Sequence, residues 1–325
     1  MDARRAHLDH LKWWAGEIKA PSLELFNRPF YIFGGTGFIG LWITHVLDLI
    51  SEHLQVEIQV NHFNRSEVSY RTKNSRLKIR NFKWDMNYPS ATFEVGNPNI
   101  FYLANNQSEK SLSKKIEINL NALRETLNNP GLQTETRFLY ASSGAIYSAI
   151  LQNENQSPVS EYALTKYACE KELEKFSESS KFQFTCARLF AFYGTNLPLH
   201  SNFFIGNLMR SAITKEKFIM NSTGDSIRSY LYGLDMATQM IELLSNNTNH
   251  TYDIGGTQSV KLSDLATQTS NLYGFEVEFG VDKSMSAYLP TEIVMENRFG
   301  AGKKFDFWSG FKIWHENTKF EYFCK

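Results

Sequence analysis

The chain has 325 residues, enough for one large domain or two closely joined ones with a substantial core. Its 34 lysines and arginines balance 34 aspartates and glutamates, so the formal net charge is zero. This balance argues against nucleic-acid and membrane-surface partners, which usually need a basic field, and any bound anion must be held by a local site.

The N-terminal part of the chain predicts a short extension before the main fold. Residues 1–28 contain one amphipathic helix, expected around Leu8 to Ile18, whose Trp13 and Trp14 should pack on the main body or face a partner. The segment shows no signal-peptide core, and no stretch reaches about 18 uninterrupted apolar residues, so no membrane span is expected. Three cysteines without metal-ligand spacing fit a reducing compartment, so we expect a cytoplasmic protein without a metal site.

From Phe30 onward, short apolar runs alternate with segments of helical periodicity. The predicted strands are PFYIF, VEIQVNHF, FKWDM, IFYLA, RFLYASS and FTCARLF. The predicted helices between them include FIGLWITHVLDLISEHL, LSKKIEINLNALRETLNN and EYALTKYACEKELEKFSES. This alternation predicts right-handed crossover units and an α/β fold with a Rossmann-type parallel sheet covered by helices on both faces.

The change in composition along the chain predicts two lobes. Residues 29–190 should form a dinucleotide-binding domain, with segments near 232–262 returning to it. The later part of the chain is richer in aromatic residues, asparagine and loops. Residues 191–231 and 263–325 are therefore expected to form a smaller C-terminal substrate-binding lobe. A ligand in such an architecture should lie at the carboxyl ends of the strands, where the lobes meet.

The stretch YIFGGTGFIG, at residues 31–40, follows the first predicted strand and opens a helix. Gly34, Gly37 and Gly40 have the spacing G-x-x-G-x-x-G. Glycine permits a tight turn and a close approach of a pyrophosphate, whose charge suits a helix N-terminus. Three glycines also fit a turn without a ligand, but their place after the first strand of an alternating chain favours a dinucleotide site.

The second predicted strand ends in HFNRS, where a dinucleotide would present its adenosine ribose. A ribose with free hydroxyls normally calls for an acid there, whereas a 2′-phosphate calls for an arginine. This chain offers Arg65, flanked by Asn64 and Ser66, and no acid. The stretch therefore favours NADP over NAD, and a solvated arginine without a ligand is the alternative.

A serine and a tyrosine–lysine pair form the most reactive group in the sequence. Tyr162 and Lys166 are four residues apart, so they share one face of a helix. A free tyrosine has a pKa near 10, too high for efficient acid–base catalysis at neutral pH, and a nearby ammonium group is expected to lower this pKa. Ser143, at the end of the preceding strand, would then hydrogen-bond a substrate oxygen.

Five motifs in a fixed order carry a family resemblance. They are GGTGFIG, ASSGAIY, YALTK, RLFAFYG and GDSIRSYLYGLDMA, between about Phe30 and about Tyr288. In this combination the chain resembles the extended short-chain dehydrogenase/reductases, and more narrowly the NAD(P)-dependent epimerase/dehydratase family that acts on nucleotide sugars. The resemblance implies that Ser143, Tyr162 and Lys166 are catalytic, with Tyr162 as the acid or base.

The resemblance also implies the binding residues. Asp85 would bond the adenine, Arg228 would contact the nucleotide part of the substrate, and Asn119 would be a structural asparagine. The implied cofactor contacts are Gly34, Thr36, Gly37, Phe38, Ile39, Gly40, Asn64, Arg65, Ser66, Asp85, Met86, Leu103, Ala104, Tyr162 and Lys166. The implied substrate contacts are Ser143, Asn202 and Arg228.

Departures from the family pattern narrow the expected reaction. Phe33 replaces a usual threonine, and Ala191 replaces an asparagine that often contacts the sugar diphosphate. Dehydratases of the family carry an acid and a base where this chain has Gly144 and Ala145, which transfer no proton. The groups that remain suffice to move a hydride at one sugar carbon.

The expected protein is therefore an NAD(P)-dependent 4-ketosugar reductase or 4-epimerase of nucleotide-sugar metabolism, such as polysaccharide biosynthesis. A 4,6-dehydratase is the alternative within the same class, and a non-catalytic, cofactor-sensing regulator is the alternative of another class. The resemblance further implies a homodimer formed through the helices at 112–127 and 161–178.

Overall fold

The computed structural model describes residues 3–16, 24–67, 70, 72, 74–91, 93–94, 96–132, 134–150, 159–179, 183–200, 203–246, 250–291 and 305–323. The α-helices are α1 (Ala3–Gly16), α2 (Phe38–Leu54), α3 (Leu112–Leu127), α4 (Tyr147–Ile150), α5 (Glu161–Ser179), α6 (Phe204–Thr214), α7 (Gly233–Asn246), α8 (Leu262–Tyr273) and α9 (Phe307–Phe323). The strands are β1 (Phe30–Phe33), β2 (Ile58–Asn64), β3 (Leu77–Lys83), β4 (Asn99–Tyr102), β5 (Arg137–Ser143), β6 (Phe184–Leu189), β7 (Ala191–Tyr193), β8 (Phe218–Ser222), β9 (Ile227–Tyr232), β10 (His250–Ile254), β11 (Ser259–Lys261), β12 (Val277–Asp282) and β13 (Ala287–Tyr288).

The main sheet has seven parallel strands in the order β3-β2-β1-β4-β5-β6-β10. Phe30 of β1 pairs with Val60 of β2 on one side and with Asn99 of β4 on the other. The chain therefore builds the sheet outward in both directions from β1. In sheets of this kind a ligand binds outside the carboxyl ends of the strands at the point where the order reverses, here between β1 and β4.

The two faces of the main sheet carry separate hydrophobic cores. Phe30 and Ile32 of β1 pack in one core with α2 and α7, whereas Tyr31 and Phe33 pack in the other with α3 and α5. Successive side chains of a strand point to opposite faces, so a strand that is apolar throughout must be covered on both sides. The predicted Rossmann-type parallel sheet with helices on both faces is confirmed.

Two smaller sheets follow the sixth strand of the chain. β9 pairs in parallel with β7 and β13 and antiparallel with β11, and β8 pairs with β12. Within the segment expected to return to the first domain, α7 and β10 pack with the main sheet, whereas β11 joins β9. The division into two lobes and the homodimer through α3 and α5 remain predictions. Among the described residues, no helix is long and apolar enough to cross a membrane.

The N-terminal helix differs from its predicted position. It spans Ala3–Gly16 rather than starting near Leu8, because its buried face includes a polar residue, His7, which an apolar periodicity does not register. The side chains of Trp13 and Trp14 lie outside the described part of the structure. α1 packs on α2, where Arg4 forms ion pairs with Asp48 (2.8 Å) and with Glu52.

A chain of hydrogen bonds ties α1 to the main body. His7 Nε2 lies 2.8 Å from the Tyr232 hydroxyl, His7 Nδ1 lies 3.0 Å from His45 Nε2, and His45 Nδ1 lies 3.0 Å from the Tyr70 hydroxyl. The Tyr70 hydroxyl donates to Asp48 Oδ2 at 3.0 Å. The Asp48 carboxylate can only accept hydrogen bonds. Each imidazole ring therefore needs only one proton for every bond in the chain to have a donor and an acceptor, so both histidines can be neutral.

This chain of hydrogen bonds predicts a loss of stability in mild acid. Burial lowers the pKa of His45 to about 4, with Arg4 acting in the same direction and Asp48 against it. Burial also lowers the pKa of His7, and the charges of His45, His10 and Arg4 add to this effect. Above about pH 6.5 both histidines are neutral in the folded and in the unfolded protein. Their pKa shifts therefore do not change the free energy of unfolding in that range. Below that pH the unfolded chain binds protons that the folded chain does not, and stability is lost at up to about 1.4 kcal/mol per pH unit for each histidine.

Thermal unfolding at about pH 7.5 and about pH 5 measures this effect. The wild-type Tm should fall in the acidic buffer, and His45→Gln should reduce the size of that fall. His250→Gln, which changes an exposed histidine on β10, is the control and should retain the wild-type pH dependence. An unchanged pH dependence in His45→Gln would contradict the assignment of the effect to this buried chain.

Candidate active site

The glycine turn joins β1 to α2 at the carboxyl edge of the main sheet. Gly34 has a φ of +86°, and a Cβ there would lie 3.0 Å from the backbone nitrogen of Ala104. Gly37 is the N-cap of α2 and offers no side-chain cap, so the first amides of the helix stay open for an anion. A Cβ on Gly40 would lie 2.5 Å from the Cα of Gly35, so helix and turn touch closely. These features fit a dinucleotide diphosphate.

The end of β2 lies beside this turn. Asn64 is buried, and its Oδ1 accepts a hydrogen bond from the backbone nitrogen of Thr36 at 3.2 Å. Its Nδ2 is buried without a hydrogen-bond partner among the described residues, which leaves a donor for a ligand. Arg65 and Ser66 are exposed at the same end of the strand. The side chains of Asn64, Arg65 and Ser66 offer hydrogen-bond donors that suit a ribose or its phosphate.

The residues expected near the adenine follow β3 and β4. Asp85 comes two residues after β3, and its Oδ1 accepts hydrogen bonds from the backbone and side-chain nitrogens of Asn87 at 2.9 Å and 2.8 Å. Met86 packs against the core on the same face as Phe33. Leu103 donates its backbone N–H to the carbonyl of Phe33 at 2.9 Å, and Ala104 is buried against the glycine turn.

Phe33 itself is fully buried. Its ring is stacked on that of Phe63, with centroids 4.6 Å apart, and meets Trp84 edge-on at 5.0 Å. Phe33 directly precedes the glycine turn, where the family usually has a threonine. Aromatic packing therefore fixes this position in place of a hydroxyl group.

One cleft of about 830 Å³ joins the glycine turn to the expected catalytic residues. Its lining includes Gly34, Gly37, Phe38, Ile39, Gly40, Leu103, Ser143, Tyr162, Lys166 and Arg228. The structure thus brings these predicted site residues together. The other residues expected at the cofactor lie outside this lining: Thr36 in the glycine turn, Asn64, Arg65 and Ser66 at the end of β2, Asp85 and Met86 after β3, and Ala104 after β4. Asn202 lies outside the described residues.

The three expected catalytic residues come from β5 and α5. Ser143 ends β5, and its Oγ accepts a hydrogen bond from the backbone nitrogen of Ala145 at 3.2 Å. Tyr162, in the first turn of α5, lines the same cleft as Ser143, and the serine acts as a hydrogen-bond partner that lowers the pKa of the tyrosine. Lys166, one turn later, is buried and donates from Nζ to the carbonyl of Ala141 at 2.7 Å.

The electrostatics of this group differ from the expectation. Burial raises the pKa of Tyr162, and the hydrogen bond with Ser143 opposes this rise only in part. Burial lowers the pKa of Lys166 to about 8. The expected lowering of the tyrosine pKa by the lysine is not found, because the lysine reaches back to the sheet and its ammonium group binds a backbone carbonyl. In this state Tyr162 is an acid that holds its proton.

Arg228 of β9 reaches the cleft from the other side. Its guanidinium group donates to the carbonyls of Ile227 (2.8 Å) and Ser286 (2.9 Å) and to the hydroxyl of Ser286 (2.9 Å). The predicted anion-binding residue is therefore tied to the segment that precedes β13. It remains a cationic group on the cleft wall of a chain with no net charge.

Two aromatic residues of the site were not predicted. The hydroxyl of Tyr288 lies 3.2 Å from Ser143 Oγ, and the ring of Phe190 lies 4.9 Å from that of Tyr288. A Cβ on Gly144 would lie within 2.8 Å of Phe190 Cδ1 and closer still to its Cζ. No motif contains Tyr288, which is 145 residues from Ser143 along the chain, so only the fold could bring the two together.

Comparison with known proteins identifies the family to which this chain belongs. Residues 30–255 match the model of the NAD dependent epimerase/dehydratase family. Because the match covers more than half of the chain, the protein belongs to this family, as the motifs predicted.

Similar solved structures share the fold over nearly their whole length. One is UDP-glucose 4-epimerase with UDP-glucose from Thermotoga maritima, with 18% identity, a TM-score of 0.69 and coverage of 91% of this chain and 100% of that one. Another is dTDP-glucose 4,6-dehydratase from Bacillus anthracis in complex with NAD, with 15% identity, a TM-score of 0.69 and coverage of 91% and 97%.

A curated relative in Arabidopsis thaliana has a longer chain. It is a trifunctional UDP-glucose 4,6-dehydratase, UDP-4-keto-6-deoxy-D-glucose 3,5-epimerase and UDP-4-keto-L-rhamnose reductase, 26% identical over 149 residues. The match covers 43% of this chain and 22% of that protein.

Proposed function

We propose that this protein moves a hydride at one carbon of a nucleotide sugar, as a 4-ketosugar reductase or a 4-epimerase. The observation that carries the proposal is the single cleft that holds the glycine turn, the Ser143–Tyr162–Lys166 group and Arg228. The ligands named for the similar structures, UDP-glucose in one and NAD in another, support the same pairing of ligands here.

The proposed mechanism assigns proton transfer to Tyr162. When bound, the nicotinamide would supply or take up the hydride. Tyr162 gives its hydroxyl proton to the ketone oxygen during reduction, and its phenolate takes the proton of the sugar hydroxyl during oxidation. Ser143 holds the same oxygen. Lys166, with a pKa of about 8, stays mostly charged at neutral pH, and its ammonium group is held at the carbonyl of Ala141 beside the cleft.

The cofactor would be held by residues that the fold already orders. The open amides at the start of α2 suit its diphosphate, and the spare donor of Asn64 suits the adenosine ribose. On the substrate side, Arg228 is the cation for a diphosphate, since a bidentate guanidinium matches phosphate geometry.

The residues that follow β5 disfavour a dehydration reaction. Elimination of water requires an acid and a base beside the carbon next to the ketone, and Gly144 and Ala145 provide neither. The ring of Phe190 fills the space that a side chain at position 144 would need. An acidic residue could not be accommodated there without moving this ring, so the single-carbon reaction is the better supported one.

A non-catalytic, cofactor-sensing regulator is the alternative function of another class, and the residues of the cleft argue against it. A sensor needs only the cofactor half of the cleft. Here Ser143, Tyr162 and Lys166 converge, and Tyr162 and Lys166 have pKa values shifted by burial, as is typical of groups that transfer protons.

We further propose a preference for NADP, with Arg65 pairing to the 2′-phosphate. Arg65→Ala should raise the KM for NADPH about tenfold and change the KM for NADH little, because only NADPH carries the phosphate that the arginine would bind. Steady-state kinetics with both cofactors measure this ratio. Arg80→Ala, on exposed β3, is the matched control and should leave both constants unchanged. Equal changes for NADPH and NADH in Arg65→Ala would contradict the preference.

The reaction is tested with a panel of nucleotide sugars and their 4-keto derivatives. Oxidation of NADPH or NADH, followed by absorbance, with a ketosugar would establish the reductase. Interconversion of two sugars without net cofactor use would establish the epimerase. Turnover that releases water, or no turnover with any member of the panel, would contradict the proposal.

A further inference from the structure

We propose that the side chain of Asn105 binds a hydroxyl group of the ligand by accepting a hydrogen bond from it at the wall of the cleft. The inference rests on the proposed function and deepens it, because it adds a binding residue and the class of ligand group that this residue takes. Asn105 belongs to none of the five sequence motifs. It follows the end of β4 and lines the cleft together with Leu103 and Ser143.

The side-chain oxygen of Asn105 has no hydrogen-bond partner in the part of the chain that the structure describes. This Oδ1 atom is buried, and no donor reaches it. Ser142 Oγ, on the neighbouring strand β5, is also buried without a described partner, and Ser142 lines the same cleft. A buried acceptor without a donor is unfavourable and uncommon in native proteins. A ligand that donates a hydrogen bond in the cleft would remove this cost.

The next residue, Asn106, shows what a structural asparagine does in the same loop. Its Oδ1 accepts hydrogen bonds from the backbone nitrogens of Ser108 (3.0 Å) and Glu109 (3.2 Å) and from the Ser108 hydroxyl (3.1 Å). The oxygen of Asn106 therefore closes the loop after β4. The oxygen of Asn105, one residue earlier, makes no such bond within the described residues.

The backbone on both sides of Asn105 is fixed. Before it, Leu103 donates its N–H to the carbonyl of Phe33 at 2.9 Å. After it, Asn106 donates its N–H to Asn119 Oδ1 at 3.1 Å, and Asn119 Nδ2 donates to the carbonyl of Asn106 at 3.3 Å. Asn119 of α3 thus holds the residue next to Asn105. A side chain on a fixed backbone needs little further ordering when a ligand binds.

The chemistry of this oxygen selects the class of ligand group. An amide oxygen only accepts hydrogen bonds, so it cannot pair with the oxygens of a phosphate or with a ketone, whereas a hydroxyl group donates to it. The cleft extends from Gly34 in the glycine turn to Ser143 and Lys166. The hydroxyl group therefore belongs either to a ribose of the cofactor or to the sugar of the substrate. The two sources share this chemistry, and binding measurements distinguish them.

Asn105→Leu tests the inference, because leucine has nearly the same shape and no polar side-chain atom. Loss of one hydrogen bond should weaken the binding of one ligand about three- to tenfold. Isothermal titration calorimetry with NADPH, with NADH and with each nucleotide sugar of the panel measures these affinities without turnover. Weaker binding of both cofactors alone would assign the hydroxyl to the ribose, and weaker binding of the sugar alone would assign it to the substrate.

The stability of the unliganded protein separates a ligand contact from a structural role. Asn105→Leu removes an unsatisfied acceptor, so its Tm without ligand should equal or exceed that of the wild type. Asn106→Leu removes an oxygen that accepts three hydrogen bonds, and its Tm should fall. Asn271→Leu, at an exposed position on α8, is the matched control and should retain every wild-type affinity.

Asn105→Ala keeps the test decisive if the leucine does not fit, since it also removes the oxygen and adds no bulk. Wild-type affinity for every ligand in both variants would overturn the inference, and so would a lower Tm without a change in affinity. Failure of the proposed function is a separate result. It would appear as wild-type protein that turns over no member of the panel, whereas the binding measurements do not depend on turnover.

Discussion

Tyr162→Phe should lower kcat by roughly a hundredfold to ten-thousandfold, the range that general acid–base catalysis contributes. The substitution keeps the half-buried ring on α5 and removes the hydroxyl that Tyr162 presents in the cleft. The affinity for the cofactor should change by no more than a few-fold. Steady-state kinetics and a fluorescence titration with the cofactor measure the two quantities.

The control for this variant is Tyr167→Phe on the same helix, where Lys171 lies over the tyrosine ring at 5.4 Å. Its kcat should equal that of the wild type. Full turnover in Tyr162→Phe would remove the tyrosine from the mechanism. Wild-type protein that binds cofactor but turns over no member of the sugar panel would favour the sensor instead.

Gly40→Ala should weaken cofactor binding at least about tenfold and lower the Tm, with a cost of about 1–3 kcal/mol typical of overpacking. The added methyl group would meet Gly35 at 2.5 Å from its Cα and 2.7 Å from its carbonyl oxygen, both backbone atoms. Because these atoms cannot rotate away, the turn or the start of α2 must shift, and the amides that would face the diphosphate shift with it.

Gly96→Ala is the matched control, since a Cβ there would have no neighbour within 4 Å. Its cofactor affinity and Tm should stay close to the wild-type values. Wild-type cofactor affinity in Gly40→Ala would contradict the assignment of the glycine turn as the diphosphate site.

The sequence predicted the parts of this protein that depend on local pattern. Strand–helix alternation predicted the parallel sheet, and the glycine spacing predicted the turn between β1 and α2. Tyr162 and Lys166 are one helical turn apart, and Ser143 ends a strand, so their meeting in one cleft follows from the topology.

The parts that were missed depend on contacts between distant segments. Tyr288 and Phe190 reach the site through β13 and the end of β6, and no spacing rule joins them to Ser143. Lys166 lies on the predicted helical face, but its ammonium group binds the sheet, which only the packed structure reveals. The absence of an acid at Gly144 was visible in the sequence, whereas the aromatic ring that fills its place was not.

The central claim is that the proton moved by Tyr162 goes to oxygen and that only one sugar carbon reacts. Turnover in deuterated water, followed by NMR of the product sugar, tests it most directly, with an enzyme-free sample as the control for spontaneous exchange. We expect no carbon-bound deuterium from the solvent, because the hydrogen gained by carbon comes as hydride. Deuterium on a carbon beside the ketone, above the control, would show proton transfer at carbon and would contradict the claim.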